Sequence, residues 1–472
     1  MKFTHDLIVI GAGAAGLTAA GGAALFGLKV ALVEADRMGG ECLNTGCVPS
    51  KALIAAAARA HHGRQAARFG VTLGEPQVSW QGVCAHVRDA IAAIEPHDSQ
   101  ERFEGMGVEV IRETAHFTGK DSILAGNREL RAPRIVIATG SRPAIPRIEG
   151  LDAIGYLTNE NLFDLSELPQ HLIVIGAGAI GMEMAQALRR LGSEVTLIEP
   201  VRPLARDDEQ AAALVAGQLA FEGVRYVAGQ AQSVEHAGDG IALTCADGTR
   251  IAGSHLLIAA GRKANIDTLS LDLAGVGIGV NGILVDARRR TSNRRIYAIG
   301  DCRDGPRFTH ASGYEGSLVA VEVALGLAQK ADWSALPHCT YTEPQLAQIG
   351  LTEAEARQQF GAKVAVVREA FADNDRAIAE GETSGFIKLV MKRRKVLGVT
   401  IVGAGAGDLL LAWSQIVTGK ASSFALGSAI IAYPSRSEIS KAASFAAWEP
   451  IVFGTWPKRW AALVARRRRL PG

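Results

Sequence analysis

The sequence predicts an α/β protein of three parts: two copies of a strand–glycine turn–helix–strand unit, then an α+β segment. Three observations predict it. Gly11-Ala12-Gly13-Ala14-Ala15-Gly16 follows a short apolar run and opens a helix-like stretch. Gly176-Ala177-Gly178-Ala179-Ile180-Gly181 repeats the arrangement about 165 residues later. From Pro337 onward the texture changes to alternating strands, such as 386–391 and 396–402, mixed with helices.

Each element has a local reason. The first unit runs from the apolar stretch His5–Ile10 through a helix ending near Phe26 to the strand Lys29–Glu34. The second runs from His171–Ile175 through a helix to Leu191 and the strand Glu194–Glu199. Other buried-strand signatures are Arg134–Ala138 before Thr139-Gly140, His255–Ala260 before Gly261-Arg262, and Arg295–Ile299 before Gly300-Asp301. Residues 1–150 and 265–335 read as one discontinuous domain, 151–264 as a second, 336–450 as a third, and 451–472 as a basic tail.

A lone Gly-x-Gly-x-x-Gly is weak evidence. Two copies, each strand-led and each closed by an acid about twenty residues on, form a strong dinucleotide-binding signature. The first glycine makes the tight turn, the second admits a pyrophosphate, and the third lets helix and strand pack. The helix N-terminus then faces the phosphates. Glu34 and Glu199 stand where a carboxylate accepts from a ribose hydroxyl.

The 472 residues are 48% apolar and 21% charged, an ordinary globular composition that argues against disorder or a disulfide scaffold. Net charge is +2, so no nucleic-acid partner is expected. Lys458, Arg459 and Arg466 to Arg469 concentrate positive charge at the end; the body holds 44 basic against 48 acidic residues. The favoured reading of this tail is a solvated or frayed terminus. Docking to an acidic partner or anionic lipid is the alternative. Leu7 to Leu28 carries no charge, but it breaks into strand, glycine turn and helix rather than spanning a membrane. A cytoplasmic protein is expected.

Six cysteines are too few to form the scaffold. Cys42 and Cys47 stand out in Gly39-Gly40-Glu41-Cys42-Leu43-Asn44-Thr45-Gly46-Cys47-Val48-Pro49-Ser50-Lys51. Proline is tolerated in a helix's first turn, so a helix is expected to start at about Cys47, with Cys42 in the loop before it. A thiol at a helix N-terminus has its thiolate favoured, so Cys47 should be the more acidic. Lys51, one turn on, adds positive charge. A redox-active pair fits best. An inert disulfide remains open, as does half a zinc site, although no second Cys or His pair is evident and no metal is expected.

With these motifs the chain resembles the flavoprotein pyridine nucleotide–disulfide oxidoreductases, which include dihydrolipoamide dehydrogenase and mercuric reductase. The resemblance runs from about residue 5 to about 447. It implies FAD on Gly11, Gly13, Gly16 and Glu34, with Thr139 and Gly140 beside the flavin nucleotide and Asp301 on the ribityl chain. It implies NAD, or less favourably NADP, on Gly176, Gly178, Gly181 and Glu199, with Gly261 nearby. Glu199 favours NADH; Arg202 and Arg206 could accommodate a 2′-phosphate. Cys47 would be the charge-transfer thiol, Cys42 the interchange thiol, and Lys51 with Glu183 an ion pair near the flavin. A homodimer completing each active site across the interface is likewise implied.

The chain departs from the family at its C-terminal His-Pro-x-x-x-Glu, where Tyr433-Pro434-Ser435-Arg436-Ser437-Glu438 stands. Proline and glutamate survive, but the acid/base histidine is a tyrosine, and no histidine follows His338. A phenol titrating near pH 10 is a poor base at neutral pH. Tyrosine here resembles mercuric reductases, yet no cysteine follows Cys339 to form their C-terminal pair, and no metal-binding domain is expected before the first glycine motif. Ala264 stands where the family usually has proline. His310 is a candidate surrogate acid/base, more simply a structural histidine. Three functions are therefore expected to compete. They are a mercuric-reductase-like reductase of a thiol, disulfide or thiophilic acceptor, a dehydrogenase of a lipoyl protein, and a nucleotide-responsive regulatory flavoprotein.

Overall fold

The computed structural model describes residues 2–469. The apolar run before the first glycine turn forms β1 (Leu7–Ile10), every residue of it buried. It leads into α1 (Ala14–Leu25) and returns as β2 (Val30–Val33). These strands are apolar on both faces, the pattern of a parallel sheet covered on both sides. They lie centrally in a five-stranded parallel sheet. Its order is Ile296–Ala298, Arg134–Ile137, β1, β2, Glu109–Ile111. Leu7 pairs with both Val30 and Arg134, and Ile10 with both Val33 and Ile137.

The second unit repeats this plan. His171–Ile175 pairs in parallel with Glu194–Ile198 on one side and His255–Ile258 on the other, and Arg225–Val227 extends the sheet. The helix Ala179–Leu191 connects the first two strands. Short antiparallel sheets, Ala115–Arg131 and Ala231–Gly253, are inserted into the two halves.

The chain divides into two compact units. The first comprises Met1–Val201 and Glu222–Ala331, and holds both parallel sheets. The second comprises Arg202–Phe221 and Asp332–Gly472. Its core is a five-stranded antiparallel sheet in the order His338–Thr340, Gln345–Gly350, Lys395–Gly403, Phe386–Lys392, Val364–Ala370. Trp413 is fully buried against this sheet with Ile401 and Ile439.

Two expectations are corrected. Cys42 does not lie in a loop but inside a short helix, α2 (Gly40–Asn44). Gly39 and Gly40 start it with φ of +82° and +58°, a region that favours glycine. The Asn44 side chain then donates to the carbonyls of Met38 and Gly40 and closes the turn. The basic tail, expected as a solvated or frayed terminus, is solvated but ordered: Thr455–Arg468 is helical with no buried residue, and Leu470 to Gly472 lie outside the described residues. Among the described residues no helix is long and apolar enough to cross a membrane.

Candidate functional site

The glycine turns divide their labour. A Cβ on Gly11 would lie 2.4 Å from the Ala138 carbonyl oxygen, and one on Gly16 would lie 1.8 Å from that of Gly11. These two glycines hold the turn against its own backbone. A Cβ on Gly13 would meet nothing nearer than the Gly40 Cα at 4.0 Å. The second turn behaves alike: Gly176 and Gly181 face carbonyl oxygens at 2.5 and 1.9 Å, and Gly178 meets nothing within 4 Å. The middle glycine of each motif therefore keeps the helix N-terminus open to an approaching anion.

The acids that close the units occupy equivalent places. Glu34 accepts from the Ala12 N–H at 2.5 Å and from that of Asp36 at 2.7 Å. Glu199 accepts from Ala177 at 3.1 Å and from Val201 at 3.3 Å. Each carboxylate is held at the rim of its glycine turn, where an adenosine ribose would present its hydroxyls. These residues fit two dinucleotides, one per parallel sheet.

Hydrogen bonds hold the predicted Thr139 and Asp301 side chains and the segment that follows Gly261. Thr139 donates to the Asn265 carbonyl at 2.6 Å. Asp301 accepts from the Ser141 hydroxyl at 2.8 Å. Arg262, placed after Gly261 with its φ of +132°, donates to Ser141 Oγ at 2.7 Å. Its other nitrogens grip the Glu41 carboxylate as a fork, one contact at 2.6 Å. Asn159 donates to the same carboxylate at 2.8 Å and to the Thr45 carbonyl at 3.1 Å. Burial raises the Glu41 carboxyl above the usual range, and the Arg262 guanidinium opposes that rise. Glu41 immediately precedes Cys42, so these bonds fix the backbone that carries the Cys42 thiol.

The helix predicted near Cys47 begins at Cys47 itself, as α3 (Cys47–Gln65). Thr45 and Gly46 break the chain between α2 and α3, so the two cysteines are not on one helix, where residues five apart point about 140° apart. Cys42 and Cys47 lie close enough to perturb each other's ionisation. Thr309, the first residue of the helix Thr309–Leu325, hydrogen-bonds the Cys47 sulfur at 3.2 Å. With the Lys51 charge one turn away, these contacts lower the Cys47 thiol to about 6 against the opposing effect of burial. The Cys42 thiol is pushed up by its neighbour Cys47 and by burial. The pair is asymmetric: Cys47 is the more readily ionised thiol and Cys42 the less.

Lys51 pairs with Glu183 at 2.7 Å, across from α3 to the helix Ala179–Leu191. Glu183 is buried and Lys51 is partly exposed. This is the predicted pair, and it ties the first glycine unit to the second.

Tyr433 and Glu438 belong to the C-terminal unit. Tyr433 is exposed, and its hydroxyl donates to Asp375 at 2.8 Å. That carboxylate raises the phenol above its ordinary value. Glu438 accepts from the Ser435 N–H at 3.3 Å and starts the helix Glu438–Val452, so it closes its own turn. His310 stacks on Phe308, ring centroids 5.3 Å apart, and the contact to the thiol falls to its neighbour Thr309. Thr309, Ser141, Asn159 and Glu41 were not singled out from sequence. For Thr309 the one available signal was its place beside His310.

Residues 5–316 match the pyridine nucleotide-disulphide oxidoreductase domain and residues 336–444 that family's dimerisation domain. A mercuric reductase of Lysinibacillus sphaericus is 35% identical over 422 residues, covering 88% of this chain and 77% of that protein. A dihydrolipoyl dehydrogenase of Thermus scotoductus is 36% identical over 459 residues, covering 92% and 95%. Among solved structures, the Cu(II) complex of the HOCl-induced flavoprotein disulfide reductase RclA from Escherichia coli superposes with a TM-score of 0.84 at 26% identity, covering 92% of this chain and 98% of that one. The family binds FAD and uses a nicotinamide nucleotide, in keeping with the two glycine cradles, and its dimerisation domain supports a homodimer. With both domain models matched over most of its length, the chain belongs to the pyridine nucleotide-disulphide oxidoreductases, as an FAD-dependent oxidoreductase.

Proposed function

We propose that this enzyme passes electrons from NADH through the Cys42–Cys47 pair to a thiophilic acceptor, a soft metal ion or a reactive disulfide, with no histidine acid/base. The observation that carries this reading is the hydrogen bond from Tyr433 to Asp375. A phenol that donates to a carboxylate, with its pKa raised by it, stays protonated at neutral pH and is no base. An acceptor that two thiolates can ligate needs no proton delivered to a leaving thiol. The solved relative RclA is described as a Cu(II) complex, which supports a metal ion of this class as substrate.

Gly11, Gly13, Gly16, Glu34, Asp301 and the Thr139-Gly140 element would hold FAD, which when bound supplies the electron pair drawn from the nicotinamide nucleotide. The chain's own groups manage the thiols. Cys47 stays a thiolate because Cys42, Thr309 and Lys51 stabilise its charge. Cys42 reacts with the acceptor and releases its proton as it does so. When the Cys42–Cys47 bond re-forms, the thiol and thiolate together give up two electrons and one proton. Lys51, neutralised by Glu183, shapes the local field without taking part in bond changes.

Glu199 supports NADH over NADPH. Its carboxylate would accept from a 2′-hydroxyl and repel a 2′-phosphate. Arg202, which could have welcomed a phosphate, donates instead to the carbonyls of Leu204, Ala205 and Asp207.

The lipoyl-protein reading is supported by the even coverage of the dihydrolipoyl dehydrogenases. Tyr433 weighs against it. In either case the partner subunit of a cytoplasmic homodimer would supply Tyr433 to the site. Cys42→Ser and Cys47→Ser test the shared mechanism. Both variants should keep FAD and lose NADH-driven reduction of Cu(II), Hg(II) and disulfides. Undiminished acceptor reduction in both would sink the dithiol route.

A further inference from the structure

The basic tail folds into a helix, Thr455–Arg468, none of whose side chains is buried. At 100° per residue, Trp456, Trp460, Leu463 and Val464 fall within an arc of about 100°. The indoles of Trp456 and Trp460 stack, centroids 6.1 Å apart and nearly parallel. They are 74% and 55% exposed, and Leu463 beside them is 48% exposed. Lys458, Arg459 and Arg466 lie outside this arc. Arg467 lies within it, but in the last turn, where its long stem can reach around to water. No Asp or Glu follows Glu449, so the six cations face no acid of their own segment.

We propose that this helix lies flat in the surface of an anionic lipid bilayer and brings the reductase to the membrane. The charge points to an anionic occupant. The indole pair decides which kind: tryptophan settles at the level of lipid headgroups, with its ring in the apolar layer and its N–H in water. An acidic protein would take up the cations and leave the aromatic arc unused. The helix cannot span, because 14 residues rise about 21 Å against a hydrocarbon core of about 30 Å. It therefore lies in the interface with its polar flanks outward. One such helix binds weakly and reversibly. A homodimer presents two, and the second engages at high effective concentration.

The test uses the full-length, FAD-loaded protein with vesicles of phosphatidylcholine alone, or with about a third phosphatidylglycerol. The protein should sediment with the anionic vesicles only, shift its tryptophan emission to the blue, and release as salt rises. Arg466→Ala/Arg467→Ala/Arg468→Ala should lower the partition about 100-fold, about five-fold per arginine. Trp456→Ala/Trp460→Ala should lower it more than about ten-fold and abolish the blue shift. Both variants should keep FAD content and NADH-driven turnover in solution. No sedimentation with anionic vesicles at low salt overturns the proposal, as does equal binding to neutral vesicles. Binding indifferent to the tryptophan pair also overturns it, since a simple polyanion would then be the occupant.

Discussion

Replacing Thr309 with valine removes the hydroxyl that hydrogen-bonds the Cys47 sulfur and keeps the shape of the side chain. A hydrogen bond to a charged group contributes about 1.5–3 kcal/mol. At 3.2 Å to a diffuse sulfur, with Cys42 and Lys51 still beside it, the lower end applies. About 1.4 kcal/mol is one pKa unit, so the thiol should move up by about one unit. The native thiol is lowered to about 6; its charge is present above that pH and is lost as pH falls through it. In Thr309→Val the loss should come about one unit higher. At pH about 6.5 the thiolate fraction would drop from about three quarters to about one quarter. The assay is the long-wavelength thiolate–flavin absorbance of the two-electron-reduced enzyme, recorded anaerobically against pH. Thr309→Ser keeps the hydroxyl and should titrate like the native enzyme. A valine variant that titrates with the native protein, or a serine variant that shifts as far as valine, would refute the role given to Thr309.

The remaining predictions concern the nucleotide cradles and the acid/base position. Gly178→Ala should fold with native stability to within about 1 kcal/mol, since its Cβ meets no protein atom, while the KM for NADH rises. Gly181→Ala, whose Cβ would lie 1.9 Å from a carbonyl oxygen, should instead lose stability or fail to fold; thermal melts and NADH kinetics on both variants separate the two outcomes. Glu199→Ser should cost about ten-fold or more in kcat/KM for NADH and narrow the gap to NADPH, checked by steady-state kinetics with both nucleotides. Tyr433→His should raise turnover of dihydrolipoamide by about ten-fold or more, because a histidine base is worth about 10²–10⁴. No gain would mean that this position does not reach the thiols.

Much of this architecture is legible in the chain because it rests on local constraints. The tight turns at Gly11 and Gly176 demand glycine, and so do the close approaches at Gly16 and Gly181, so both cradles appear as spaced letters. Pro49 in a first turn placed the start of α3 correctly. The helix around Cys42 was missed because part of its support is remote: beside the local bond from Asn44 to Met38, Glu41 is gripped by Arg262, 221 residues away. Thr309 was missed for the same reason: 262 residues separate it from Cys47, and nothing local marks a threonine as a thiol partner. The tail's charge was plain, but its helix depends on how alanine, leucine and tryptophan fall around a turn, which a count of arginines hides.

The central claim is that electrons run through Cys42 and Cys47, and an anaerobic titration with NADH tests it most directly. After two electrons the spectrum should show the long-wavelength band of the Cys47 thiolate beside oxidised flavin, and Cys42→Ser and Cys47→Ser should each lack it after the same addition. A flavin that simply bleaches, with no such band in the native protein, would contradict the account and place the thiol pair outside the electron path.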